Sequence, residues 1–300
     1  MSNVHAHSVN TTSWRHRHRK TFDIGGRLLL AVVALVFALT PVLLVITSSI
    51  DPRNTLTNQS IIPAGASLNN YQELFTSDIH PYGRWFWNTM KIAVTTSVLT
   101  VLICSISAYA FSRFRFKGRR GLLLSVFLIQ VFPNTLTMVA TFLLIQAFEL
   151  FFPFLGLNTH GGLILVYLGG AMGINTWLMK GYFDTVPRSL DESAKIDGAS
   201  SWQVYWNIIM PVVKPVLTVV ALLSFISAYS DFLIPQIILQ DTSQFTLAVG
   251  LTLFVRNGQY SEAWGVFAAG AIIGAVPIVT LYLFLQNFLV RGLTSGAVKG

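Results

Sequence analysis

Residues 180–214 read KGYFDTVPRSLDESAKIDGASSWQVYWNIIMPVVK. This charge-mixed stretch lies between two long apolar runs of a chain in which polar segments are scarce. Pro187 followed by Ser189-Leu-Asp-Glu192 has the spacing of a capping box, with Ser189 at the N-cap and Glu192 at the third helical position. Asp191 and Glu192 also suit the positive end of a helix dipole. Gly198 is placed to end or bend that helix. A second short helix is expected from Ser200 to Ile209, carrying Trp202, Tyr205 and Trp206, with Pro211 interrupting it. Two readings fit this loop. It is either a linker on the membrane surface whose Glu192 caps its own helix, or a docking helix offered to a groove on a soluble partner.

The flanking composition decides the setting. Hydrophobic residues make up 53% of the 300 and charged residues only 11%, against about 25% charged in an ordinary soluble domain. So little charge cannot cover the surface of a water-soluble core of this size, so the chain is read as an integral membrane protein. The net charge of +8 does not indicate nucleic acid, because the cations cluster beside apolar runs as topology determinants do. A single cysteine, Cys104, lies within an apolar run, so no intrachain disulfide can form.

Spanning the hydrocarbon takes about 20 apolar residues. Six segments meet that length: 28–50, 89–112, 121–148, 161–179, 209–230 and 263–290. The first is too long for the apolar core of a signal peptide and reads as a retained span. The stretch 242–255, uncharged but rich in Thr, Ser and Gln, reads as an external segment. With six spans, the N-terminal tail 1–27, the turn 113–120, the loop 180–214 and the tail 291–300 fall on one side. They hold sixteen of the twenty Lys and Arg. The positive-inside rule therefore predicts that both termini are cytoplasmic. The turn RFRFKGRR at 113–120 reads as a topology anchor, and Trp85, Phe86 and Trp87 as an interfacial aromatic belt. Residues 28–290 are expected to form one all-α membrane domain. Gly169 with Gly173, and Gly270 with Gly274, have the spacing of close helix contacts, while Pro133 and Pro277 are helix breakers within spans.

Several chemistries are absent. No Lys follows a Gly, so there is no phosphate loop, and neither H-E-x-x-H nor G-x-S-x-G occurs. The tail pairs His5/His7 and His16/His18 read as solvated residues rather than metal ligands, and no catalytic residue is nominated. Inverted repeats or charged pore rings, which a self-contained carrier or channel would need, are not evident either.

The loop then carries a specific resemblance. Glu192-Ser193-Ala194, three residues, Gly198, nine residues and Ile208-Ile209-Met210-Pro211 resemble the cytoplasmic loop of permease subunits of binding-protein-dependent ABC importers. In that family the pattern is E-A-A, three residues, G, nine residues, I-x-L-P. Here Ser193 replaces an Ala and Met210 the Leu. The strings Gly156-Leu-Asn-Thr-His-Gly-Gly162, Tyr167-Leu-Gly-Gly170, Lys180-Gly-Tyr-Phe183, Thr246-Leu-Ala-Val-Gly250 and Gly292-Leu-Thr-Ser-Gly-Ala-Val-Lys-Gly300 extend the resemblance towards the family's maltose and maltodextrin importers.

The resemblance implies a six-helix, MetI-like permease of a type I importer in the bacterial inner membrane, surrounded by membrane lipid. Its implied partners are a second homologous permease subunit, a dimer of a cytoplasmic ABC ATPase and an external sugar-binding protein. ATP and Mg would be used by the ATPase, with no cofactor bound by this chain. Glu192, Ser193, Ala194, Asp197, Gly198, Ile208, Met210 and Pro211 would form the ATPase-coupling loop, with Ala194 and Gly198 acting through small size. Arg256, Asn257, Gly258 and Gln259 would form the tip of an external loop reaching the binding protein. The C-terminal tail would insert between the ATPase subunits. Sugar-contacting residues are not assigned, because the resemblance places that site mainly on the other permease chain. The transported sugar stays open between maltose, trehalose, glucosides and another oligosaccharide.

Overall fold

The computed structural model describes residues 12–53, 63–130, 133–256 and 263–294, without side-chain detail for 12–25, 134–135, 256 and 287–294. Among these residues every regular element is helical. The chain opens with α1 (Thr12–Ser49), a short α2 (Asn69–Thr76) and the long α3 (Tyr82–Arg113). It continues through α4 (Arg119–Ile129), α5 (Asn134–Glu149), a single 3-10 turn at Pro153–Leu155 and α6 (His160–Thr185). Then come α7 (Arg188–Ile196), α8 (Ser201–Gln203), a π-helical stretch at Val204–Ile209 and α9 (Met210–Ser230). Three short helices, α10 (Leu233–Ile238), α11 (Leu247–Leu251) and α12 (Leu253–Arg256), lead into α13 (Trp264–Thr294).

Five of these stretches are long and apolar enough to cross a membrane: Gly26–Ser49, Tyr82–Arg113, His160–Thr185, Ser201–Ser230 and Trp264–Gln286. The expected span at 121–148 is instead divided between α4 and α5. Pro133, extended at ψ 121°, precedes α5, because proline disfavours the helical conformation in the residue before it and cannot donate to the turn behind.

Helix α3 is the central post, packed most extensively against α6 and α9. Helix α1 lies against α13 with its apolar surface otherwise uncovered. Since hydrocarbon does not drive apolar side chains together, shape and polar contacts must hold such helices. Besides a small cluster of Ile92, Leu163, Ile238 and Leu239, two larger clusters form the core. One, at the end where the basic segments converge, joins Cys104, Ala108 and Tyr109 of α3 to Met179, Phe183, Ala194, Tyr205 and Val213. The other, at the opposite end, joins Leu74, Tyr82 and Trp85 to Phe225, Tyr229, Leu247, Leu251 and Phe254.

Several expectations need correction. Trp85 is not part of an interfacial belt: it is fully buried, and its indole donates to the Thr242 carbonyl at 2.8 Å. Trp87, 69% exposed, does have the exposure of a belt residue. Segment 242–255 is, as expected, not among the helices long enough to cross a membrane, and Thr246, Leu247 and Val249 within it are buried. It packs so closely on α3 that a Cβ on Gly250 would lie 2.2 Å from the Trp85 ring. The glycine pairs do not join two long helices. Gly270 and Gly274 admit Leu251 and Leu247 of α11, Gly173 admits the Gln130 side chain, and Gly169 faces open space.

Candidate functional site at the basic end

Helix α7 begins at Arg188, one residue after Pro187, which occupies the N-cap with no side-chain cap. Ser189 therefore lies inside the first turn, and the expected Ser189–Glu192 capping box does not form. The capping box sits eleven residues further on. Ser200 Oγ accepts from the Gln203 amide at 3.3 Å, and the Ser200 amide donates to Gln203 Oε1 at 2.8 Å. Helix α7 ends as expected at Gly198, whose φ of +85° is the left-handed conformation that favours glycine. The Ala199 amide donates to the Ala194 carbonyl at 2.9 Å and the Gly198 amide to Lys195 at 3.1 Å, the paired bonds of a Schellman motif.

The two faces of α7 have different roles. Asp191 and Ala194, one turn apart, are buried against the bundle. Asp191 meets Arg113, the last residue of α3, with Nε–Oδ2 at 3.0 Å; the side chains are 10% and 7% exposed. The contact is one of charge and proximity, because the Nε–H is not aimed along it. Arg113 also donates to the Val186 carbonyl at 2.9 Å, and Arg188 to the Ser112 carbonyl at 3.3 Å. Ser112 donates to Asp184 at 2.7 Å, and Asp184 also holds Lys180. Within the turn expected as a topology anchor, Arg113 thus also ties α3 to α7. A basic residue next to an apolar span gave no sign in the sequence of which acid it would find.

The outward face carries Glu192, Ser193, Lys195, Ile196 and Asp197. Ile196 is 86% exposed, which makes it the most prominent apolar side chain on this short helix. The sequence reading missed it. Ala194 acts inward, seating α7 on Val204 and Tyr205, rather than shaping the outer face. A Cβ on Gly198 would meet nothing within 4 Å, so within this chain the glycine is required by its φ and not by its size.

Residues Ile208 to Pro211 form the root of the loop. Pro211 does not interrupt the second helix. Helix α8, the π stretch and α9 run continuously from Ser201 to Ser230. The Met210 amide bonds to the Tyr205 carbonyl, five residues back. This wider turn lies immediately ahead of Pro211, whose ring cannot donate and would crowd the carbonyl four residues before it. Ile209 is fully buried, Ile208 and Met210 pack on the same cluster, and Pro211 is exposed. Tyr205, anchored by Ser105 at 2.7 Å, fixes this root to α3.

At the opposite end, α3 holds the 242–247 backbone through neutral bonds. Asn88 donates to the Ser243 and Phe245 carbonyls at 3.0 and 3.1 Å, and Thr89 Oγ1 accepts from the Leu247 amide at 2.7 Å. Arg256 closes α12, while Asn257, Gly258 and Gln259 lie outside the described residues. The tails 1–11 and 295–300 lie outside them as well. Among the described residues no cluster of His, Cys, Asp or Glu could hold a metal ion.

The fold is that of ABC importer permeases. A bacterial transporter that imports the acidic polysaccharide alginate aligns at TM-score 0.78 and 23% identity, covering 90% of this chain and 97% of that one. A MetNI methionine transporter aligns at 0.53 and 14%, covering 72% and 99%. Residues 100–295 match the family described as binding-protein-dependent transport system inner membrane component, and the chain belongs to that family. It is therefore a multi-pass inner-membrane transport component and not an enzyme. Among relatives, the maltose/maltodextrin transport system permease protein MalG of Yersinia pestis is 39% identical over 284 residues, covering 91% of this chain and 92% of its own. That of Vibrio vulnificus strain YJ016 is 41% identical over 254 residues, covering 85% of each. That of Escherichia coli K12 is 38% identical over 284 residues, covering 91% and 94%.

Proposed function

We propose that this chain is the permease subunit of an ATP-driven importer for maltose and maltodextrins. The observation that carries the reading is the 38–41% identity to maltose/maltodextrin permeases along 85–91% of the chain. The partners we infer are a second homologous permease chain, a dimer of a cytoplasmic ATPase and an external sugar-binding protein. The basic end then faces the cytoplasm, as expected from the placement of Lys and Arg, and α4 with α5 makes a sixth, broken crossing.

In this reading α7 receives the ATPase stroke. Its outward residues Glu192, Ser193, Ile196 and Asp197 form the surface presented to the ATPase. Ile196 supplies an apolar anchor and the carboxylates of Glu192 and Asp197 supply polar contacts. Its inward residues Asp191 and Ala194 pass the displacement to α3 and to the root at Ile208–Pro211. The arrangement supports this because α7 is tied to α3 through side chains rather than through a continuous helix. Arg256, Asn257, Gly258 and Gln259 remain the proposed contact with the binding protein, and the C-terminal tail the proposed insert between ATPase subunits.

The test is uptake of labelled maltose by proteoliposomes holding both permease chains, the ATPase and the binding protein. ATP-dependent accumulation is expected with the wild-type chain, and its loss with Ile196→Glu while the complex still assembles. Uptake of trehalose or another glucoside without maltose would move the substrate and keep the transporter. Absence of sugar-stimulated ATP hydrolysis with every sugar tried would refute the reading.

A further inference from the structure

After Arg113 turns inward to Asp191, the turn that follows is left with four cations. Arg115, Lys117, Arg119 and Arg120 lie within six residues, and no acid occurs from Phe114 to Ile129. None of the four forms an ion pair with a carboxylate among the described residues. The nearby acid, Asp184, acts on Arg119 but is already held by Lys180 and Ser112.

The local backbone sorts these residues. Phe114 leaves α3 extended, at φ −91° and ψ 146°, and side chains of an extended segment alternate sides. Phe114 packs edge-on to Tyr109 and Phe116 packs against Phe111, each pair with centroids 5.7 Å apart. The two rings remain 42% and 43% exposed. Arg115 and Lys117, between and after these rings, are exposed. Gly118, at φ +83°, then reverses the chain into α4.

Depth follows from the next turn. Leu122 and Leu124 of α4 are 53% and 61% exposed, and such surface needs hydrocarbon around it. They lie two to five residues beyond Arg119 and Arg120, or about 3–8 Å along a helix. That places the cations in the headgroup layer, with the half-exposed rings at its boundary.

We propose that the 114–120 turn is a binding site for the phosphate headgroup of anionic phospholipids in the leaflet at the basic end. The proposal rests on the reading of the chain as a permease with that end at the inner leaflet. Phosphate oxygens accept from Arg115, Lys117, Arg119 and Arg120, while Phe114 and Phe116 border the upper acyl chain. Because Arg113 continues this turn directly into the Asp191 contact, a bound headgroup steadies the same end of α3 that holds α7.

The experiment uses the intact transporter, with all its subunits, in nanodiscs made with equal parts phosphatidylglycerol and phosphatidylcholine. Lipid retained through purification is weighed by native mass spectrometry. Wild-type complex is expected to retain phosphatidylglycerol selectively. Arg115→Gln with Lys117→Gln is expected to lower that retention roughly twenty-five-fold, each cation near an anionic surface contributing on the order of a fivefold effect. Arg115→Lys with Lys117→Arg, which keeps both charges and so the topology, is expected to restore it. Equal retention by the neutralised variant overturns the proposal. So does displacement of the lipid by soluble glycerol phosphate, which would make the site one for free phosphate. Loss of the ATPase chain with lipid retention unchanged also overturns it, assigning the turn to that partner. Basal ATP hydrolysis in the same nanodiscs reports on the transporter reading separately.

Discussion

The two ends of α3 are held to their neighbours by different chemistry. At its start, Trp85, Asn88 and Thr89 make neutral hydrogen bonds to the backbone of 242–247, and Tyr82 donates to the Gly270 carbonyl at 2.9 Å. Close ring packing surrounds them, with Gly250 and Gly270 leaving no room for a Cβ. At its finish, Arg113 meets α7 through charge and a few bonds to carbonyls, over a helix whose outer face is bare. A neutral, interdigitated contact has one good arrangement, since small shifts forfeit both packing and hydrogen bonds. A charged contact at the edge of the bundle tolerates displacement better, because Coulomb attraction falls off gradually. The difference suits a fixed platform at the start of α3 and, in the proposed reading, a lever at the basic end.

The comparison breaks most visibly at the lever. Asp191→Ala leaves Arg113 buried without its acid, and Arg113→Ala does the reverse. Each is expected to destabilise the docking of α7 by about 3–5 kcal/mol. Hydrogen exchange of 188–199 should accelerate strongly in either variant, while 242–251 stays protected. The apolar pair Arg113→Met with Asp191→Leu should recover stability, because replacing both members of a buried pair is often neutral. If it also recovered sugar-coupled ATP hydrolysis, charge at this contact would be unnecessary for coupling.

The platform fails differently. In Gly250→Ala the new Cβ lies 2.2 Å from Trp85, so the buried indole must shift from the Thr242 carbonyl. The expected cost is about 1–3 kcal/mol, as for other overpacked cores. A lowered thermal midpoint in detergent, together with a red-shifted tryptophan emission, would register it. Unchanged emission would mean that α11 yields instead of the ring.

Gly198 separates two explanations of one residue. Its backbone sits at φ +85° with open space around it. Gly198→Val therefore costs about 1–2 kcal/mol through the left-handed conformation, whereas Gly198→Asn costs less, since asparagine visits that region. Coupled uptake should follow the same order if backbone shape is what matters. Equal loss in both variants would show that the ATPase groove needs a bare surface at this position.

These outcomes also mark what the sequence disclosed. Apolar length made the spans legible, and the 192–211 spacing pointed to the segment that folds as α7 and the root of α9. The cap was misplaced because Ser-x-x-Glu at 189–192 and Ser-x-x-Gln at 200–203 look alike as strings. Pro187 decides between them by starting α7 two residues too early for Ser189 to be its N-cap. The Arg113–Asp191 contact crosses 78 positions of chain, and nothing local in either residue indicates its partner. Trp85 was misread because an aromatic residue at a span's end is expected at an interface. Only Gly250 and Thr242, far along the chain, reveal the slot that it fills.

The smallest expected effect tests how far the platform stays fixed when its surroundings turn acidic. His80 packs at a tilt on Phe254 of α12 with centroids 4.6 Å apart and lies 6.2 Å from the Trp85 ring. Burial among these rings holds its imidazole below the ordinary value, outweighing the pull of Glu73 in the other direction. The sign follows from linkage: a histidine whose folded pKa is depressed keeps its full contribution above the unfolded pKa. That contribution is lost as pH falls, because the unfolded chain takes the proton first. Lowering the pH from about 7 to about 5, across the ordinary histidine range, should loosen α12 against α3. Hydrogen exchange at 247–256 should then rise modestly, and exchange at 188–199, which has no contact with His80, should not. His80→Phe keeps the ring contact without a titrating nitrogen and should remove the pH response. A response that survived His80→Phe would assign it to another acidic or basic group of the platform, with the Asp51–Arg53 pair at 2.8 Å next to be substituted.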